Sequence, residues 1–310
     1  MKVLATTSDM NRARWLQERA RGIGGSDASA IAGLNPYKTP LQVYLEKTGE
    51  WSEEVDNESI YWGNVLEDVI ADEFSRQTGL RVRRRNAILQ HSEHPFMIAN
   101  VDRLIVGKKV GLECKTTSAY LKEDWKEDQI PDTYFLQVQH YMAVTGFKKW
   151  WIAVLIGGNT FVYKAVKRDE DIINYLITIE KNFWAQHVEK RNPPPVDGSE
   201  AANELLQKMY PHSEQDSSLE LSNEQKRLFD DYLQAKQSEE MAAERRQEAE
   251  NKLKAVLGNK ETGFYNGKPV ISWKSFSTNR IDSKKLKEEQ PEVYKKYLKK
   301  TSHRRFSAKE

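Results

Sequence analysis

The sequence predicts a mixed α/β domain followed by a C-terminal appendage of helix, hairpin and tail. Up to about residue 190, segments of helical period alternate with short apolar runs bounded by glycine turns. At Asn192-Pro193-Pro194-Pro195 the composition changes to a polar stretch through Gly198 and again over His212–Ser218. Beyond it runs a long, charged, helical segment. The boundary falls within 192–218, drawn as residues 1–200 and 201–310, a size suited to one domain with an extension.

Taken in order, the Gly-rich turn Arg21-Gly22-Ile23-Gly24-Gly25-Ser26-Asp27 opens a short helix over Asp27–Gly33. Thr39-Pro40 starts a second helix that stops at Gly49. Glu58–Thr78 reads as an amphipathic helix whose stripe is Ile60, Gly63, Glu67, Ile70 and Phe74, closed by Gly79. Leu80–Leu89 reads as a strand, and Phe96–Val106 with Val110–Thr117 as a hairpin around Gly107-Lys108. A helix over Pro131–Thr145 ends at Gly146. A second hairpin, Trp150–Ile156 with Thr160–Val166, turns at Gly157-Gly158-Asn159, and a helix spans Asp169–Glu189. In the appendage, Leu221–Leu257 is helical. Small or apolar residues recur every seven positions there, but the second seam position is mostly polar, against a full coiled coil. Gly263–Ser277 reads as a hairpin through Asn266-Gly267, and a basic tail closes the chain.

Eight Trp and thirteen Tyr suffice for a substantial core. No apolar run reaches the ~20 residues that span a bilayer, and the start MKVLATTSDMNRARW lacks the apolar stretch of a signal peptide. A membrane location is therefore not expected, and the cytoplasm is. The single cysteine, Cys114, excludes an intrachain disulfide and a Cys-based zinc site. A net charge of +2 averages over basic clusters at Arg81–Arg85, Lys108-Lys109 and the last thirty residues, and acidic runs at 50–58 and 123–128. Nucleic-acid binding depends on local basic patches, so the near-neutral total leaves it open.

The chemistry is concentrated between Asp102 and Lys115. On a strand Glu113 and Lys115 share one face, and Leu112, Cys114 and Thr116 share the other. If Gly107-Lys108 is a two-residue turn, Val106 pairs with Lys109, Leu104 with Gly111 and Asp102 with Glu113. Opposed side chains have Cβ atoms ~5 Å apart, and two carboxylates at that separation call for a cation between them. A hard divalent ion with oxygen ligands, and Lys115 beside it to orient or help deprotonate a water, would make a phosphodiester-hydrolysing site. The same residues also fit an ordinary hairpin with a surface ion pair. Glu67 interrupts the apolar stripe of its helix, where a carboxylate needs a partner or a metal. Gly63, one turn earlier, would let a group approach closely; a Glu reaching water from the stripe edge is the plainer reading. Gln137 and Tyr141 share one helix face, joined by Tyr134, and could bond the lysine, a water or a phosphate, or be helix-surface polarity. Gly24-Gly25-Ser26-Asp27 at a helix start suits a phosphate partnered by Arg19 or Arg21, or a simple N-cap; it is not a P-loop. Cys114 lies opposite Glu113 and Lys115 with no matching histidine, which argues against a nucleophile, and the six His show no metal spacing.

On these residues the chain resembles the YqaJ family of phage-type recombinases, relatives of bacteriophage lambda exonuclease in the PD-(D/E)xK nuclease superfamily. The motifs run in family order over residues 11–200: Trp15, Arg19 and Gly24-Gly25-Ser26-Asp27, then Trp62-Gly63 and Glu67, then Asp102 with Glu113-Cys114-Lys115, then Gln137 and Tyr141. The resemblance implies a restriction-endonuclease-like core, a mixed β-sheet flanked by helices. It implies Mg²⁺-dependent 5′-to-3′ digestion of one strand of linear duplex DNA, leaving 3′ single-stranded tails for recombination, with Mn²⁺ able to substitute. Asp102, Glu113 and Glu67 would be the metal residues and Lys115 would assist the water. Arg19, Ser26 and Gln137 would hold the 5′-phosphate, with Tyr141 also in the substrate site. A homotrimer, a single-strand annealing protein as partner and a phage or prophage source in a bacterial host are further implications. The segment beyond about residue 205 has no counterpart in the minimal nuclease. Trp273, Lys274, Arg304 and Arg305 there suit a partner or a DNA backbone. An endonuclease or junction resolvase on the same core, an RNA nuclease, and a DNA-binding scaffold with a silent site are the competing readings.

Overall fold

In the computed structural model, residues 1–51, 58–299 and 304–308 are described. Most of the acidic run at 50–58 and part of the basic tail lie outside them. The elements of the first unit, Met1–Met209, are β1 (Lys2–Thr6), α1 (Arg12–Ala20), α2 (Gly25–Ile31), α3 (Pro40–Thr48), α4 (Glu58–Thr78), β2 (Val82–Arg84), β3 (Ala87–Gln90), β4 (Ile98–Asn100), β5 (Arg103–Ile105), β6 (Val110–Thr117), α5 (Asp132–Thr145), β7 (Lys149–Ile156), β8 (Thr160–Lys167), α6 (Glu170–Phe183) and α7 (Glu200–Met209). A 3₁₀ segment, Ala119–Trp125, precedes α5, and a π turn over Trp184–Val188 continues α6. The helix signals work locally as expected: the Thr39 hydroxyl accepts from Gln42 N at 3.1 Å to start α3, and Gly49 and Gly146 end α3 and α5 in the left-handed region.

The main sheet has five strands in the order β2-β5-β6-β7-β8. β6 and β7 run parallel, joined by the α5 crossover, and the other pairs are antiparallel. A smaller sheet, β1-β3-β4, lies beside it. Helix α4 packs on one face of the main sheet, where Ile70, Ala71 and Phe74 meet Leu112, Cys114 and Ala153. Helix α5 packs on the other, its Val138, Tyr141 and Met142 against Trp150, Ile152 and Val154. Gly111 is required at the centre of this second layer, because a Cβ there would stand 2.1 Å from Trp150 Cζ2. This mixed sheet flanked by helices is the predicted architecture.

Two predicted strands divide. Leu80–Leu89 breaks into β2 and β3, and Phe96–Val106 into β4 and β5, each pair split between the two sheets. The hairpin turn also differs: the four residues Val106–Lys109 are unpaired, yet Leu104 pairs with Gly111 and Arg103 with Leu112, so the predicted register holds. Strand β1, helix α1, the 3₁₀ segment and α7 are additions to the sequence reading. Helix α7 buries Leu205 against Ile23, Val43 and Phe183, which carries the first unit to Met209. The second unit, Tyr210–Glu310, contains α8 (Asn223–Leu257), the hairpin β9 (Thr262–Tyr265) and β10 (Lys268–Ser272), α9 (Ser283–Glu289) and α10 (Pro291–Tyr297). Asn266 and Gly267 both have positive φ, as a two-residue hairpin turn demands. The basic tail thus holds two short helices.

Candidate active site

Alternation along β6 turns Leu112 and Cys114 toward α4 and Glu113 toward α5. Glu113 is buried. Its Oε1 accepts from Gln137 Nε2 at 2.7 Å and lies 2.6 Å from Lys115 Nζ. Its Oε2 is also buried and accepts nothing among the described residues. Gln137 Nε2 donates as well to the Tyr141 hydroxyl at 2.7 Å. Asp102, just before β5, accepts the Cys114 N–H on Oδ2 at 2.8 Å, and lies within hydrogen-bonding reach of Glu113. The three residues of the expected motif are therefore brought together.

Burial, followed by the charge of Glu113, pushes the Asp102 carboxyl up to about 7. Glu113 is raised too, chiefly by burial, although Lys115 pulls the other way. Burial alone would lower the Lys115 ammonium, but Glu113 and Asp102 outweigh it and raise its pKa, so it is held as a cation. Its Nζ lies 5.3 Å from the centre of the Tyr134 ring, which stacks on Trp125. Cys114 is a buried thiol, raised by burial and then by Asp102, on the opposite face of β6. That environment suppresses a thiolate.

Two adjoining carboxylates, Glu113 buried and Asp102 half-buried, present hard oxygen donors, one of which accepts no bond among the described residues. They fit a divalent cation. The described residues contain no cluster of three or more His, Cys, Asp or Glu arranged for a metal. Glu67 pairs with the guanidinium of Arg103, which also bonds the Asp102 carbonyl at 2.8 Å and pairs with Asp68. Burial and then the charge of Asp102 raise the Glu67 carboxyl, so it stands beside the Asp102–Glu113 pair. Arg103 is buried and was missed in the sequence, where it reads as one more charge on a strand. The stripe containing Glu67 is buried only in its second half, at Ile70 and Phe74, while Ile60 is exposed. Nor does Gly63 permit a close approach: a Cβ there would be 3.9 Å from Thr116 Oγ1, an ordinary contact.

The start of α2 forms a second focus. Arg19 Nη2 donates to Ser26 Oγ at 3.1 Å and lies over the Trp15 ring. Buried Asp27 caps Gly24 N at 3.0 Å, and its oxygens lie 2.8 Å from Lys38 Nζ and 2.6 Å from Lys47 Nζ. Burial acts to raise the Asp27 carboxyl, but Lys38, Lys47 and Arg19 hold it well below the usual range. A cavity of about 410 Å³ is lined by Arg12, Trp15, Arg19, Ser26, Lys38 and Lys47. Arg19 and Ser26 thus meet as expected, while Gln137 faces Glu113. The lysines escaped the sequence reading because nothing local links them to Asp27. Gly25 lets α2 reach α5, since a Cβ there would lie 2.6 Å from Tyr141 Cε1.

Residues 14–148 match the model of the YqaJ-like viral recombinase domain. The chain is 45% identical over 312 residues to the uncharacterized protein YqaJ of Bacillus subtilis (strain 168), covering 100% of this chain and 98% of that one. It is 28% identical over 144 residues to the uncharacterized protein R354 of Acanthamoeba polyphaga mimivirus, covering 42% of this chain and 26% of that one. Among solved structures it is similar to LHK-Exo, an alkaline exonuclease from Laribacter hongkongensis, in complex with dAMP. The TM-score is 0.50 at 18% identity, over 64% of this chain and 98% of that one. The fold is therefore that of this exonuclease. With a relative so similar along its whole length, the chain belongs to the YqaJ-like viral recombinase family.

Proposed function

We propose that the chain is a Mg²⁺-dependent exonuclease that digests one strand of linear duplex DNA from its 5′ end, leaving 3′ single-stranded tails for recombination. The observation that carries this reading is the group formed by buried Glu113, with one unpartnered oxygen, Asp102 beside it, and Lys115 2.6 Å away.

Asp102 and Glu113 would hold the metal. Bound there, the metal supplies Lewis-acid polarisation of the scissile phosphate and lowers the pKa of a coordinated water. Lys115, held as an ammonium, orients the attacking water and offsets the charge gathering on the phosphoryl oxygens. Gln137, tied to the Tyr141 hydroxyl, fixes the rotamer of Glu113. Arg103 restrains Glu67 and the Asp102 backbone. The cavity at Arg19 and Ser26 suits a terminal phosphate through the Arg19 guanidinium and the Ser26 hydroxyl, while Lys38 is already paired with Asp27 and Glu46. Buried Cys114 takes no part. No helix among the described residues is long and apolar enough to cross a membrane, consistent with work on DNA in the cytoplasm. The family reading adds a homotrimer, a single-strand annealing partner and a phage or prophage origin.

Linear duplex carrying a label at either end tests the proposal, with closed circular DNA and Lys115→Ala as controls. Early release of the 5′ label, an intact circle and an inactive variant are expected. A cut circle would replace the reading with an endonuclease. No cleavage of any DNA would leave RNA or a silent scaffold.

A further inference from the structure

Two basic clusters far apart in sequence meet at one end of the main sheet. Strand β2 is an edge strand paired with β5, and Arg83 pairs with Leu104, which pairs in turn with Gly111 of β6. That row places Arg83 on the sheet face that carries Glu113 and Lys115. Arg84 points the other way and is used internally, paired with Asp68. Arg83 and Arg85, with Lys108 and Lys109 from the β5–β6 turn, line a cavity of about 390 Å³ whose wall includes Leu104 and Phe147. None of these four side chains has a hydrogen bond or ion pair among the described residues. The chain elsewhere pairs its cations readily, including Arg84 one residue away. Four like charges around one concavity repel, and the described residues supply them no carboxylate.

We infer that this cluster is a second DNA contact, which takes backbone phosphates of duplex away from the scissile end. Lys115 lies six residues beyond Lys109, or ~20 Å along an extended strand. That is about six phosphate steps of duplex at ~3.4 Å each, so a duplex whose end lies at Lys115 is long enough to meet both sites at once. The planar guanidinium groups of Arg83 and Arg85 suit phosphate oxygens, and the exposed lysines of the turn add point charge. The contact reads no sequence and serves to hold duplex while its end is processed. It rests on the reading that duplex DNA is the substrate.

The test is binding of a fluorescent linear duplex in EDTA, measured by anisotropy over a series of salt concentrations. Arg83→Gln/Arg85→Gln and Lys108→Gln/Lys109→Gln are compared with the unmodified chain and with Lys181→Gln/Lys190→Gln, which removes the same charge from an exposed stretch elsewhere. Each cluster variant is expected to bind about tenfold more weakly at low salt. The slope of log K against log salt should fall by about 1.8, as for two lost phosphate contacts. The control should keep the original slope, and all should keep a similar Tm. Cluster variants with unchanged slope and affinity, or a control that weakens equally, would overturn the inference while leaving the nuclease reading intact. Failure of the unmodified chain to bind duplex would overturn both.

Discussion

Replacing Gln137 with Met separates two roles for this residue. The resemblance assigns it to the 5′-phosphate; the structure shows its amide on Glu113 and Tyr141. Met has similar length and no donor, so the cavity stays filled while the bond to a buried carboxylate disappears. A hydrogen bond to a charged group contributes ~1.5–3 kcal/mol. With Glu113 and Gln137 both buried, a loss of about 2 kcal/mol is expected. For a unit of this size that is a fall in Tm of about 4–8 °C. If the same energy orients Glu113 in the transition state, kcat falls about 30-fold. The assay compares duplexes with a 5′-phosphate and a 5′-hydroxyl. A residue that positions Glu113 lowers both rates by the same factor and weakens Mg²⁺ binding, read as the Mg²⁺ concentration giving half-maximal rate. A loss confined to the phosphorylated end, with Tm and Mg²⁺ dependence unchanged, would refute the positioning role.

Metal-free protein should respond to pH through Asp102. Its folded pKa of about 7 lies above the ordinary carboxyl value of 3.8, so its contribution to stability is full below the latter and lost as pH rises through about 7. The Tm in EDTA should therefore fall over that range while the gain from added Mg²⁺, which needs the carboxylate, grows; a gain constant from about pH 5 to pH 8 would refute this. Gly111→Ala drives a Cβ to 2.1 Å from Trp150 and should cost at least about 3 kcal/mol, measured by urea unfolding. Cys114→Ala leaves the backbone N–H that Asp102 accepts, so cleavage should stay within about threefold (~0.7 kcal/mol) despite a small loss of packing; an inactive variant would return the thiol to the mechanism. Asp27→Asn leaves Lys47 buried without its counter-charge, and should lower stability by about 3–5 kcal/mol in the same unfolding assay.

Strand alternation made much of the site legible. Glu113 and Lys115 could be assigned one face and Cys114 the other from spacing alone, because period two is a property of the backbone. The register also survived a mistaken turn: the loop opens by one residue on each side, so Leu104 still meets Gly111. A slip by one residue on a single strand would have turned the carboxylates apart. The sheet changes were hidden because the apolar stretches on either side of Asn100–Arg103 read as one strand whichever sheet each joins. Its break falls at Val101-Asp102, between β4 and β5, where the Asp102 side chain takes the Cys114 N–H. Helix α7 was hidden for another reason: its short apolar face has meaning only against Ile23, Val43 and Phe183, which are distant in sequence.

Glu67 marks the limit of reading buried charge from sequence. A carboxylate in an apolar stripe must find positive charge, and that requirement is sound physics. It does not say whether the charge is a metal or a side chain. Arg103 answers it from the adjacent strand, bonding Glu67, Asp68 and the Asp102 carbonyl. Glu113 faces the same requirement with a different outcome. Lys115 and Gln137 both approach one oxygen, and the second, equally buried, has no donor. An unpaired buried acceptor costs ~1–3 kcal/mol. Glu180 Oε2 and Trp150 Nε1 are also buried without a partner, so what sets Glu113 apart is Asp102 beside it and Lys115 2.6 Å away. The pair Asp102 and Glu113 is therefore where added Mg²⁺ should act. Glu67→Gln, which keeps shape and a hydrogen bond to Arg103, should change Mg²⁺ dependence far less than Glu113→Gln; equal effects in the two variants would place Glu67 back among the metal residues.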